Sequence, residues 1–99
     1  FKEALMSRQI IEKIRNSIKS GNYDVTYHAV EETAEDGLEI CDIESAILNG
    51  KIIKKEKGDP RGIKYTIKGL GTDLATPIGV VGRLKETGVF LIITVYKIT

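Results

Sequence analysis

The chain of 99 residues contains a single histidine, His28, in the run Thr26-Tyr27-His28-Ala29-Val30-Glu31. Imidazole is the only side chain whose unperturbed pKa lies near neutrality, so His28 is the first residue able to carry a proton transfer. The competing reading of the same residue is a ring that packs and caps a helix. Charge is strongly segregated around it, although the net charge is only +1. Glu31, Glu32, Glu35, Asp36, Glu39, Asp42 and Glu44 follow it with no base among them. Lys51, Lys54, Lys55, Lys57, Arg61, Lys64 and Lys68 come next, against only Glu56 and Asp59. A basic half attracts phosphate even in a nearly neutral molecule, while overall neutrality argues against tight nonspecific nucleic-acid binding. Two solvated faces would give the same pattern.

Other chemistries are disfavoured. Cys41 is the only cysteine, which excludes an internal disulfide framework and fits a reducing cytoplasm. With one Cys and one His, no ligand pair at zinc spacing is present, so neither metal nor cofactor is expected. Cys41 begins a helical stretch, where the reading is a small buried filler. The glycines form no phosphate-cradling loop of P-loop or dinucleotide type and read as turn and strand-bend positions. The longest apolar run, Val89 to Ile93, is far short of the roughly twenty residues of a spanning helix. Lys2, Glu3 and Arg8 interrupt the start, which does not read as a secretory leader. A soluble cytoplasmic protein without membrane contact is the expectation.

The elements that must position His28 follow from periodicity. Ala4, Ile10, Ile11, Ile14 and Ile18 lie at helical spacing, predicting an amphipathic helix over residues 1–20 that stops at Ser20-Gly21-Asn22. Tyr23, Val25 and Tyr27 alternate with polar residues in a short extended stretch. Thr26 is placed to cap a second helix running to about Asp36 and ending at Gly37. Ile40, Ile43, Ile47 and Leu48 stripe a third helix that ends at Asn49-Gly50. Beyond Gly50 the period changes to two, with turn clusters at 58–62, 69–73 and 85–88, so four strands are implied. The expectation is one α+β domain over 1–99, with helices on one face of a four-stranded antiparallel sheet.

On the strands, Ile63, Tyr65 and Ile67 share one face and Lys64, Thr66 and Lys68 the other. In the last strand Val89, Leu91, Ile93 and Val95 alternate with Phe90, Ile92, Thr94 and Tyr96. A simple hairpin closed by 85–88 would set Leu84 against Val89 and put Arg83, Val81 and Gly79 on the Phe90-to-Tyr96 side. One face would then be aliphatic and covered by helices. The other would gather Lys64, Lys68, Arg83, Thr94 and Tyr96, a set suited to an RNA backbone or, equally, to open solvent. Tyr23, Tyr27 and Tyr65 are assigned to the core or its rim.

Three stretches together resemble a known family. His28-Ala29-Val30-Glu31, then Gly37-Leu38, then Asp42-Ile43-Glu44 with Leu48-Asn49-Gly50 are similar to the helical half of a widespread bacterial domain of unassigned function. Pro77-Ile78-Gly79-Val80-Val81 and Ile92-Ile93-Thr94-Val95-Tyr96 look like its last two strands. The resemblance covers about Tyr23 to Ile98. It implies grouping with RelE-like toxins, small metal-independent ribonucleases, and a partner antitoxin of the zinc-ribbon kind found beside the MqsR toxin. By position it implies that His28 transfers the proton, that Thr94 and Tyr96 line the cleft, and that Arg61 and Lys64 hold the scissile phosphate; Lys68 and Arg83, set on the same face by alternation, are read as binding residues. The chain departs from the family where Glu32 and Asp36 replace arginines near the histidine, and where Gly79 replaces a second histidine.

Two functions are therefore expected to compete: a toxin-like metal-independent endoribonuclease, and a catalytically decayed fold of the same type acting through protein contacts. A structural protein without a ligand is a third reading.

Overall fold

The structure is a computed structural model describing residues 2–99, with side chains described from Arg8 onward. Its elements are α1 (Lys2–Lys19), β1 (Tyr23–Val25), α2 (Tyr27–Glu35), α3 (Ile40–Asn49), β2 (Lys51–Glu56), β3 (Lys64–Leu70), β4 (Pro77–Leu84) and β5 (Phe90–Lys97). The fold is α+β, but the sheet differs from expectation. It has five strands in the order β1-β5-β4-β3-β2, and it is mixed, because β1 pairs parallel to β5. The extended stretch at Tyr23 was too short to read as a strand from alternation alone. Its three residues owe their place to pairing with Phe90 to Ile92.

Helices α1 and α3 cover one face of the sheet. Ile11, Ile14 and Ile18 recur at helical spacing and are buried with Ile43, Ala46 and Ile47 of α3. Against them lie Tyr65 and Ile67 of β3, Ile78 and Val80 of β4, and Phe90, Ile92 and Val95 of β5. Ile40 and Leu48, assigned to the stripe of α3, are exposed instead, and Ala46 takes the central place. The side chain of Ala4 lies outside the described residues. α1 ends as the glycine at 21 implies, with Gly21 at φ 74 and the Asn22 N–H donating to the Ser17 carbonyl at 2.7 Å.

The face assignment of β5 needs two corrections, and they cancel. The hairpin is one residue longer than expected, so Leu84 pairs with Phe90 and not with Val89. That slip turns Phe90 and Ile92 into the core, where they are fully buried, and sends Leu91 outward. Gly82 then pairs with Ile92 and Val81 with Thr94, leaving Ile93 as a bulge that reverses the phase once more. Thr94 and Tyr96 therefore do share the outer face with Lys64, Lys68 and Arg83. The turn expected at 69–73 also starts later, because Gly69 and Leu70 belong to β3.

That turn, residues 71–76, is held by carboxylates. Asp73 accepts from the Thr76 hydroxyl and from the Thr76 and Ala75 N–H groups, and Asp42 at the start of α3 accepts from the Thr72 hydroxyl and N–H. The Thr76 hydroxyl, then the two N–H groups, lower the Asp73 carboxyl to about 2. An unfolded aspartate titrates near 3.9, so this group stabilises the turn above that pH and stops doing so as the pH falls to about 2. The Ala75 and Thr76 amide resonances are expected to titrate with that low midpoint. A midpoint near 4 would show that Asp73 is free.

Candidate functional site

The site is built around the bulge at Ile93. Thr26 docks there: its N–H donates to the Ile92 carbonyl at 3.0 Å and its hydroxyl to the Ile93 carbonyl at 3.1 Å. The Thr26 Oγ1 also accepts from the Ala29 N–H at 3.2 Å, so one residue both caps α2 and pins it to β5. From this anchor α2 runs along the edge of β5 beyond the short β1. The Val95 N–H donates to Glu32 Oε1 at 3.1 Å and the Lys97 N–H to Asp36 Oδ2 at 3.0 Å. Two carboxylates one helical turn apart thus take the place of a neighbouring strand.

This changes the meaning of the acids beside His28. Glu32 and Asp36, which stand where the resemblance implies arginines, are committed to main-chain donors of β5. His28 stands two residues past the cap, with Nε2 3.3 Å from Glu32 Oε1 and its side chain 68% exposed. One carboxylate oxygen therefore links the imidazole to the backbone between Thr94 and Tyr96. The ring neither packs in the core nor caps the helix, which Thr26 does.

The outer face carries cross-strand rows. Lys51, Lys68, Gly79 and Tyr96 are successive partners across four strands, as are Lys54, Thr66, Val81 and Thr94. Gly79 is needed in the first row because a Cβ there would meet the ring of Tyr96. On the opposite face Gly82 takes the Phe90 ring in the same way. These β4 glycines are seats for aromatic rings, a role that turn statistics do not anticipate.

The predicted phosphate-binding residues separate into two groups. Lys64 and Lys68 are on the outer face, Lys64 half-buried and 3.9 Å from Glu56 Oε2, Lys68 exposed. Arg61 and Arg83 are both held by Asp59. Arg61 forks onto it through Nε and Nη2, at 3.2 and 3.1 Å, and the Nη2 of buried Arg83 reaches Asp59 Oδ2 at 2.6 Å. The Arg61 side chain, its N–H and both arginine charges hold the Asp59 carboxyl well below the usual carboxylate range. Gly58 and Gly62, at φ 100 and 122, let the chain turn back so that Asp59 reaches the sheet. Arg83 Nε is buried without a partner. Sequence reasoning missed Asp59, although the Asp-Pro-Arg-Gly turn signal surrounds it.

Other assignments resolve plainly. Tyr65 is buried and Tyr23 donates to Glu44 Oε2 at 2.9 Å, whereas Tyr27 is 79% exposed, neither core nor rim. Cys41 is exposed and not a filler, and loss of hydration, then the Glu39 carboxylate, push its thiol up. Among the described residues no group of three or more His, Cys, Asp or Glu side chains could hold a metal ion, and no helix is long and apolar enough to cross a membrane.

No curated protein and no solved structure matches the chain. Residues 25–97 match a family described as a domain of unknown function, DUF4258. That stretch runs from β1 through β5 and takes in Thr26, His28, the acidic edge clamps and the outer-face rows. The chain is therefore a member of the DUF4258 family.

Proposed function

We propose that this protein is a metal-independent endoribonuclease of the RelE-like kind, acting as the toxin of a bacterial toxin–antitoxin pair in the cytoplasm. One observation carries the reading: a solvent-open imidazole tied through Glu32 to the bulged strand bearing Thr94 and Tyr96, beside a sheet face rich in lysines. In the reaction an RNA 2′-hydroxyl attacks its adjacent phosphorus and the bond to the 5′-oxygen breaks, leaving a 2′,3′-cyclic phosphate. His28 takes the proton from the nucleophile or gives one to the leaving oxygen, and Lys64 and Lys68 offset the charge gathering on the phosphate. Thr94 and Tyr96 orient the phosphate, and Arg61 and Arg83 join them when Asp59 yields. The expected partner is an antitoxin protein, of zinc-ribbon type, that covers this face.

Induced expression without the antitoxin should arrest growth and cut RNA in the presence of a chelator. His28→Ala should lower cleavage at least about a hundredfold while the protein stays folded. Unchanged growth and intact RNA with the wild-type chain would end this reading.

A second reading has its own support, since Asp59 neutralises Arg61 and Arg83. In that reading the face binds protein only and the catalytic set has decayed. Tight partner binding together with no salt-dependent RNA binding would favour it.

A further inference from the structure

We propose that the notch at the far end of the outer face is a nucleobase subsite for single-stranded nucleic acid. The identity of its occupant rests on the ribonuclease reading above. The notch, about 450 Å3, lies where the α3–β2 corner meets the 71–76 turn and is lined by Asn49, Gly50, Lys51, Lys68, Gly69, Leu70 and Leu74.

Its lining is apolar where a base would sit and cationic where a phosphate would follow. Leu70 and Leu74 are two of the exposed large hydrophobics, and Leu74 is 68% exposed. Gly50 and Gly69 offer only main chain. Lys51 and Lys68 face each other across β2 and β3, and they begin the row that ends at Tyr96. Strand spacing sets the Tyr96 backbone about 10 Å from that of Lys68. A strand whose phosphate meets Thr94 and Tyr96 is thus carried by Lys68 to the notch. Alternating cations and apolar surfaces are what unpaired nucleotides require.

Leu74 strengthens the case. Among the described residues it is the one non-glycine residue with positive φ, at 55°. The hydrogen bonds to Asp73 and Asp42 hold this turn rigidly, and the Leu74 N–H donates to the Gly71 carbonyl at 2.9 Å. An apolar side chain is thereby kept on the surface in a strained conformation, where it adds nothing to the core. Asn49, the one polar side chain of the notch besides the lysines, is already spent: its Oδ1 accepts from the Leu70 N–H and its Nδ2 donates to the Leu70 carbonyl and the Ser45 hydroxyl. The notch therefore grips a base by contact area, not by a hydrogen-bond code. Purines should bind better than pyrimidines, with little discrimination within each class.

The test uses the full chain and probes that 2′-hydroxyl chemistry cannot cut. A labelled hexadeoxyadenylate is titrated against the wild type, Leu74→Gly and Lys68→Ala, and amide resonances are followed with adenosine monophosphate and with inorganic phosphate. Glycine accepts φ 55 without strain, so Leu74→Gly keeps the turn. It should weaken the hexamer about tenfold with no change in salt dependence, the loss expected for apolar contact area. Lys68→Ala should lower the salt slope by about one. The mononucleotide should shift the Leu70 and Leu74 amides, and phosphate alone should not. Affinity for Leu74→Gly within twofold of wild type, or no shift at those amides, overturns the proposal. If RNA is cut and the notch variant binds normally, the subsite fails and the nuclease reading stands. If the notch binds as described in a chain that cuts no RNA, the nuclease reading fails and the subsite stands.

Discussion

Gly69→Ala is expected to cost at least about 3 kcal/mol, a large part of the roughly 5–15 kcal/mol that holds a domain of this kind together. Gly69 sits in β3 on the helix-covered face, and a Cβ built there collides with the carbonyl and Cα of Ala46 in α3. Both collision partners are main chain, so no rotamer change relieves them, and α3 must lift off the sheet. Ala46→Gly in the same chain should not rescue stability, because it removes no atom that the new methyl meets. Urea denaturation is the measurement: the midpoint should fall with the slope unchanged. Gly71→Ala provides the contrast, since its Cβ would meet no main chain among its nearest atoms but Asp42 Oδ1 at 3.0 Å and Ile78 Cδ1 at 3.2 Å, contacts that a shift of a few tenths of an ångström relieves. A Gly69→Ala protein as stable as the wild type would mean that α3 does not rest on β3 through this glycine.

Gly79→Ala should do the reverse, leaving the fold and, on the proposed ribonuclease reading, removing RNA cleavage. The three atoms nearest its Cβ all belong to the ring of Tyr96, a half-exposed side chain with room to swing into solvent. The stability change should stay within about 1 kcal/mol, while RNA cleavage should fall about a hundredfold because the phenol no longer lies beside Thr94. Ring-current shifts around Val81 would report the displaced ring. Cleavage at the wild-type rate with the ring displaced would remove Tyr96 from the mechanism. In this chain the Tyr96 ring fills the space above the glycine.

Where periodicity was long, the sequence was informative. The Thr26 cap and the stop at Gly37 follow from local capping chemistry that the structure reproduces, and α3 ends at Asn49 as expected, although Gly50 is extended and is needed there because a Cβ would meet the Ala46 and Lys68 carbonyls. What escaped was set by distant partners. Three residues at Tyr23 become a strand only because β5 has a free edge. The phase of β5 depends on a hairpin residue and a bulge that alternation cannot locate. Of the candidate site, the shared face of Lys64 and Lys68 was legible from alternation, and that of Thr94 and Tyr96 came out as expected only because the hairpin slip and the bulge cancel. The commitment of Glu32 and Asp36 to backbone donors was not legible, although their spacing of four from His28 onward marks one helical stripe. Arg61 and Arg83 counted as free cations because nothing in a charge tally says that Asp59 folds back onto them.

The carboxylate clamp of α2 also decides how this protein can associate. A sheet normally offers two open margins, and a molecule with two can polymerise without limit. Here one margin is divided between a three-residue strand and the Glu32 and Asp36 carboxylates, which leave no run of main-chain groups for another chain to read. The opposite margin, β2, carries Lys51, Lys54 and Lys55 and is broken at Ile53. The two margins are therefore unequal, and any strand added to this sheet is expected at β2, where acidic side chains would offset the lysines. Among the described residues β2 is thus the margin that keeps a run of main-chain groups open to pairing, with its lysines alongside.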